Sequence, residues 1–532
     1  MTRELALAPE GERRDRVRYR FPPLERRGVI AGWRGGQIAA VAGGLLIGVF
    51  AIRSRPSMGG VVLAVVGLAV GLGLAFWPIN GRTGEQWLPL VARWLWSALV
   101  GGHLQLSSAP TGGRLALVDS IGTAGSRAIE LQPMAPVARS NSRSMVLDGL
   151  TVAGTPFGSQ TSAPELGMVI DARARTATAA LVVSGHSFAL LGSRDQDGQI
   201  AAWGRVLSSM AREGSDVHRV QWIESCLPDD GGAVRRHFAD HAVLSTDSPA
   251  GHSYRTLVDE AAPVTRRHHV RIALSIRTGR SSLAARASGK DLTRIGRILS
   301  QEVSSLHRAL EGADISVDGV LGPSALAREI EDASIALVDT WERDGRRDDR
   351  CADPGEDRAD SPRWPWPMAV EPTWDAVRTD GTWHSTYWIA EWPRVDVTPD
   401  FLGPLLFSPL RRSISLVMEP MSPSRAARQV AQARTADVAN TELRRRGGFL
   451  VTARQIKEKQ SVEQRDADLA DGHAQYRFSG YVTVTSDTRE ELEVARAAIE
   501  QAASQSGIEL RLLYGAQDAA FTCSLPLGRG LT

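Results

Sequence analysis

The chain has 532 residues and carries 62 Lys plus Arg against 60 Asp plus Glu, a formal net charge of +2. That balance excludes a chain-wide pull toward nucleic acid, so no direct nucleic-acid binding is expected. Cys226, Cys351 and Cys523 are odd in number and far apart, which excludes a disulfide framework or zinc knuckle and fits reduced thiols.

Residues 1–34 form a basic tail with nine arginines: Arg3, Arg13, Arg14, Arg16, Arg18, Arg20, Arg26, Arg27 and Arg34. Two apolar runs follow, 35–52 and 58–79, without a charged side chain in either. At about 1.5 Å of rise per residue they extend roughly 27 and 33 Å, enough for a hydrocarbon core of about 30 Å. Arg53, Ser54, Arg55, Pro56 and Ser57 separate them, and a joint with a proline predicts a hairpin of two transmembrane helices. A buried hairpin in a soluble core passes the same length test, but runs so rich in Gly and Val, with no polar stripe, favour lipid. The arginine-rich tail predicts a cytoplasmic N-terminus, and an even number of spans returns the chain there. The expected location is the cell membrane, with both termini cytoplasmic and the bilayer as first partner; the tail suits anionic lipid.

Residues 85–100 read as an interfacial amphipathic helix. Trp87, Leu90, Val91, Trp94, Leu95 and Ala98 recur at helical spacing, and Pro89 is tolerated in a first turn. Indole rings suit the headgroup layer, whereas Glu85 and Arg93 disfavour a third span. The same stripe would also serve as a core face of the first soluble domain.

The remaining chain reads as α+β. A first cytoplasmic domain is expected over 101–341, opening with a Ser-, Gly- and Pro-rich stretch at 104–143. Its predicted strands are 176–183, 217–224, 270–276 and 315–317, with helices near 195–212 and 291–311. Residues 342–367, dominated by Arg, Asp, Glu and Pro, read as a charged flexible linker, because they bury too little surface to offset ordering entropy. A second cytoplasmic domain follows over 368–532. It has predicted strands at 413–418, 476–485 and 508–514, a helical region at 424–469 broken at Gly447–Gly448, and a helix at 488–504. Strand, helix, strand, helix, strand in each half predicts two ferredoxin-like α+β modules after the transmembrane helical hairpin, each leaving one open sheet face.

No phosphate-cradling loop is found. Lys290 follows Gly289, but Ala284 stands at the first glycine of that motif and Asp291 at its Ser/Thr. Gly185-His-Ser-Phe-Ala189 approximates a nucleophile elbow, yet 188–191 reads as strand rather than helix. His237 and His241, at i and i+4, have zinc spacing but no third ligand. Cys226, before Asp229 and Asp230, reads as a strand-end thiol. No catalytic, cofactor-binding or metal-binding residue is assigned, no cofactor is expected, and the chain is expected not to be an enzyme.

Tyr19-Arg-Phe-Pro-Pro-Leu-Glu-Arg-Arg-Gly28, Asp380-Gly-Thr-Trp-His-Ser-Thr-Tyr-Trp388, Ala474-Gln-Tyr-Arg-Phe-Ser-Gly-Tyr481 and Leu513-Tyr-Gly-Ala-Gln-Asp518 resemble segments of an actinobacterial integral membrane protein family. That family is associated with conjugation-like, type IV secretion-type machinery. The N-terminal hairpin resembles PrgI-like and VirB-type small membrane subunits. The end, Phe521-Thr-Cys-Ser-Leu-Pro-Leu-Gly528, resembles the non-motor region of large conjugation ATPases. The layout is more distantly similar to EccE-type subunits of type VII secretion. The resemblance implies a membrane-anchored structural or docking subunit, able to oligomerise, of a secretion or conjugation complex, with a separate ATPase and sister membrane subunits as partners. A membrane-tethered enzyme or ligand sensor is the alternative, favoured if a convergent polar pocket exists.

Overall fold

The computed structural model describes Phe21 and residues 35–54, 56–79, 82–99, 105–106, 117–118, 130–131, 150–157, 165–185, 188–229, 232–242, 248–261, 265–278, 289–334, 367, 369–446 and 453–530. The basic tail apart from Phe21, most of the stretch 104–143, and the charged stretch 342–367 apart from Pro367 lie outside the described residues. The fold is mixed α and β: two apolar N-terminal helices precede a large antiparallel sheet.

Helices α1 (Gly35–Ser54) and α2 (Met58–Phe76) are each long and apolar enough to cross a membrane. They pack back to back through their smallest residues. Gly44, Gly48 and Ala51 of α1 and Gly60, Gly71 and Ala75 of α2 are buried. A Cβ on Gly44 would lie 2.7 Å from the Gly67 carbonyl, and one on Gly71 would lie 2.8 Å from the Ala40 carbonyl. The large side chains point outward instead: Leu46 is 70% and Phe50 74% exposed. A water-soluble hairpin buries its leucines; small residues in the seam and large ones outside suit lipid. At the open end Gln37 Nε2 donates to the Ala75 carbonyl at 2.9 Å, tying the two helices together.

Helix α3 (Gly84–Leu99) follows, with Pro89 within its first turns. The sheet strands are β1 (Leu150–Pro156), β2 (Glu165–Asp171), β3 (Thr176–Gly185), β4 (Val217–Pro228), β5 (Arg266–Arg277) and β6 (Ile315–Val320) in one half. The other half supplies β7 (Ala369–Pro372), β8 (Val377–Thr379), β9 (Thr382–Glu391), β10 (Arg412–Pro420), β11 (Tyr476–Ser486) and β12 (Glu509–Leu512). With Gln105–Leu106 at one edge they form a single sheet, in the order β7-β8-β9-β11-β10-β4-β5-β3-β2-β1. Strand β6 pairs with β3 and β12 with β9, off that line.

This order reads the same from both ends. Each half contributes a two-strand meander, a strand, a helix, a second strand, an inserted helical pair, a third strand, a helix and a short fourth strand. The first half carries α4 (Ser193–Met210), the pair α5 (Gly232–His241) and α6 (Pro249–Ala261), then α7 (Gly289–Glu311). The second carries the one-turn α9 (Gly403–Leu406), the pair α10 (Pro423–Arg446) and α11 (Ala453–Ala470), then α12 (Arg489–Gln505). Between them lies α8 (Pro323–Asp332). The equivalent strands β4 and β10 join the halves, antiparallel from Arg412↔Cys226 to Met418↔Val220. The stretches 101–341 and 368–532 therefore share one sheet.

Helices α4 and α7 cover one face of the first half, burying Val206, Leu299, Val303, Leu306 and Leu310 against Leu181, Ile272 and Leu274. On the second half Leu492 and Ile499 of α12 pack with Val482, Val484 and Leu512. The opposite face is not open. Helix α8 and the C-terminal segment fill it, placing Leu326, Ile330, Phe521, Leu525 and Leu527 on Val152, Val169 and Ala273. Burial of that second apolar face is what the α+β pattern leaves unspecified.

The stretch 188–191, read as strand, is instead a 3-10 turn at Phe188–Leu190 leading into α4. The Leu191 amide donates to the Phe188 carbonyl at 3.2 Å, and Gln196 Nε2 donates to the same oxygen at 2.9 Å.

Candidate functional site

Two aromatic contacts fasten the apolar hairpin to the folded region. On the N-terminal side Phe21 stacks on Trp392, with ring centroids 5.1 Å apart, and meets Phe401 at 5.5 Å. Phe478 closes that socket, edge-on to Trp392 at 5.5 Å. On the C-terminal side Trp87 of α3 lies 6.0 Å from Trp374 and 5.4 Å from Tyr514, and Trp94 meets Trp374 edge-on at 5.3 Å. Arg82 lies over the Trp87 ring at 5.6 Å. Gly515 makes this cluster possible: its φ is +67°, and a Cβ there would stand 2.9 Å from the Trp374 ring. The tryptophan stripe of α3 thus faces protein, which is the second of its two readings, although its partner is the second half of the sheet.

A second polar site lies where the halves meet. A cavity of about 340 Å³ opens between the end of α4 and the ends of β4, β5 and β10, lined by Arg212, His218, Arg277, Glu419 and Arg425 among others. Glu419, only 8% exposed, lies 3.8–4.0 Å from the guanidinium groups of Arg219, Arg277, Arg425 and Arg477. Burial first, then the charges of Arg219 and Arg277, pull the His218 imidazole down to about 4, so it is neutral at pH 7 and accepts from Arg277 Nε at 3.2 Å. Toward the opposite end of the β4–β10 pair Arg412 pairs with Glu224 and donates to the Leu406 carbonyl, and His268 Nδ1 lies 2.7 Å from Glu224.

The candidates singled out by sequence fall apart from one another. Gly185 ends β3, while His186 and Ser187 lie outside the described residues. His237 and His241 stack at 4.4 Å on α5, and among the described residues no three His, Cys, Asp or Glu side chains gather as metal ligands. Cys226 is buried in β4, where desolvation raises its thiol; Asp229 pairs with Arg267 at 3.2 Å, and Asp230 and Cys351 lie outside the described residues. Lys290 opens α7. Sequence reasoning missed the sockets around Trp374 and Trp392. The signal was present in composition: Trp364, Trp366, Trp374, Trp383, Trp388 and Trp392 are six of the chain's 14 tryptophans, crowded within 364–392.

No family model matches this chain, and no curated protein is significantly similar to it.

Proposed function

We propose that this chain is a membrane-anchored, non-enzymatic docking subunit of a bacterial secretion or conjugation-type translocation complex, recruiting a separate ATPase and sister membrane subunits. The observation that carries the reading is the inside-out hairpin together with its two aromatic contacts. Phe21 precedes α1, and Trp87 and Trp94 follow α2, yet all three reach the same half of the sheet. These contacts support a topology with both flanks of the hairpin on one side of the bilayer, and the nine arginines of 1–34 favour the cytoplasmic side. Each half is read as a ferredoxin-like module, supported by the antiparallel orders β4-β5-β3-β6 and β10-β11-β9-β12. The long pair α10 and α11 is the favoured docking arm, since its own core is small: Val430, Ala433 and Val462, with Leu469 beside them.

Crosslinking in membranes followed by affinity purification of the full chain tests this reading. A hexameric-type ATPase is expected in the crosslinked material, and its recovery should fall when α10 and α11 are replaced by a short turn. Externally applied thiol reagent should reach a cysteine at Ser57 and not one at Thr532; the reverse pattern overturns the topology. Purified full-length protein should not hydrolyse Mg-nucleotide.

A ligand sensor held at the membrane is the second reading, favoured by the cavity around Glu419. Its arginines would take an anionic ligand, and saturable protection of Arg277 and Arg425 from a guanidine-directed reagent by a small phosphorylated compound would move the assignment there.

A further inference from the structure

Resting on the membrane-anchored reading, we infer that α3 lies in the lipid surface along the face carrying Leu88, Val91, Leu95 and Leu99, and clamps the second half of the sheet against the bilayer. Helix α3 has three sides. Trp87 and Trp94, about two helical turns apart, are taken up by Trp374 and Tyr514. About a quarter turn round the axis, Leu88, Val91, Leu95 and Leu99 form an unbroken apolar strip, with Leu95 49% and Leu99 82% exposed. Trp96 flanks that strip, and Gln86 and Arg93 lie on the far side. Large apolar side chains adjoining one another on a surface mark an interaction site.

Lipid is the occupant that the surroundings select. Helix α3 begins eight residues after the end of α2 at Phe76, and Gly84, its first residue, lies against Leu74 of that span, where a Cβ would meet Leu74 Cα at 3.0 Å. On the membrane-anchored reading the helix therefore starts at the depth where α2 leaves the hydrocarbon. An amphipathic helix in that position buries its apolar side at the headgroup boundary. The protein-facing tryptophans then transmit the anchorage. Trp374 and Tyr514 belong to the second half, as do Trp392 and Phe401 that hold Phe21. The half farther along the chain is thus the membrane-proximal one.

Spin labels on the full chain in liposomes, with the native cysteines replaced by alanine, decide the matter. Labels go singly at Leu88, Leu95 and Leu99, at Val62 in α2 as the lipid reference, and at Val438 of α10 as an apolar, solvent-facing reference. Collision with oxygen should exceed collision with a water-soluble nickel chelate at 88, 95, 99 and 62, with the ratio reversed at 438. A lipid signature at 62 with a water signature at 95 overturns the inference and leaves the anchor standing. A water signature at 62 as well overturns the anchor itself. In Trp374→Ala the label at 95 should keep its lipid signature while the distance distribution between labels at 95 and 438 broadens. An unchanged distribution shows that the clamp is elsewhere.

Discussion

Asp375 is held by two arginines of α12: Arg489 Nη2 at 2.6 Å and Arg496 Nη1 at 2.7 Å. Arg496 Nε also donates to the Tyr387 hydroxyl, which in turn donates to Glu500. The sequence places Arg489, Glu493 and Arg496 on the solvent side of the helix, where charge reversal should cost almost nothing. With Arg496 only 15% exposed, that expectation fails. Arg496→Glu removes charge-assisted hydrogen bonds and turns them into repulsion, and should cost at least about 1.5–3 kcal/mol by chemical denaturation. Nothing local to α12 announces this, because Asp375 comes from the turn before β8, more than a hundred residues away. Burial pushes the Asp375 carboxyl up, but the hydrogen bonds and charges of Arg489 and Arg496 outweigh it and hold its pKa below the usual 3.8. Its contribution to stability is therefore full above about pH 4 and is lost as pH falls further, a loss that Asp375→Asn should lack. The histidines act in a higher window. His218 sits at about 4, and His384, buried between Thr379 and Thr485 hydroxyls at 2.7 and 3.0 Å, also lies well below its ordinary value. The unfolded chain binds more protons than the folded one between about pH 6.5 and 4, so stability should decline across that interval. Denaturation midpoints should show a shallower decline in His218→Gln; an identical slope would mean that this imidazole is protonated in the folded protein.

At the scale of elements, the hairpin was legible because composition alone separates 35–52 and 58–79 from everything else. Which side of each helix faces its partner follows less directly, and the glycines carry it. Gly44→Leu would drive a side chain into the backbone of α2 around Gly67 and Gly71, and should cost about 1–3 kcal/mol in detergent-solubilised unfolding assays. Leu46→Ala, on the outward side, should be close to neutral; equal effects would place the seam elsewhere. Helix α12 was legible for a different reason. Thr488 caps it through the Glu491 amide at 3.2 Å, with the Glu491 side chain returning to the Thr488 amide, and Leu492, Ala495, Ile499 and Ala502 repeat on one buried side. Leu492→Ala should therefore cost roughly 2–5 kcal/mol. Strands β1, β2, β7, β8 and β9 escaped notice: the first four are short runs broken by Gly, Pro and Thr with little alternation, and in β9 Thr382, His384, Ser385 and Thr386 occupy buried positions where apolar side chains would mark a strand. Their identity comes from pairing, as in Val152↔Val169 and Val377↔His384. The face of α3 was only half legible: periodicity marks an apolar stripe but cannot say whether indole meets lipid or another indole.

The molecule as a whole is two similar halves joined at equivalent strands, with Gln221 among the buried polar residues at the crossing. Gln221 of β4 has no exposed surface, and its Nε2 donates to the Ser415 hydroxyl of β10 at 2.8 Å and to the carbonyls of Cys523 and Leu525 at 2.9 and 3.0 Å. Its Oε1 accepts from the Gly528 amide at 2.8 Å. One side chain thus binds a strand from each half and the C-terminal segment that crosses beneath them. Arg529 extends the crossing to Asp171 of β2, with Nη2 at 2.8 Å, and Thr178 donates to the Leu527 carbonyl at 3.2 Å. No local pattern predicts such a junction, since its partners are separated by hundreds of residues and a lone glutamine in a strand looks like a solvated position. Gln221→Leu preserves the volume class but takes the Gln221 partner from the Cys523 carbonyl and the Gly528 amide, while the Leu525 carbonyl keeps the Leu527 amide, each lost partner costing about 1–3 kcal/mol. The expected result is more specific than a lower midpoint. Hydrogen exchange should accelerate together in 517–530 and in the β4–β10 pair, while the cores around Leu299 and Ile499 keep their protection. If exchange instead rises evenly through both halves, the junction is not a separable unit and the sheet unfolds as one.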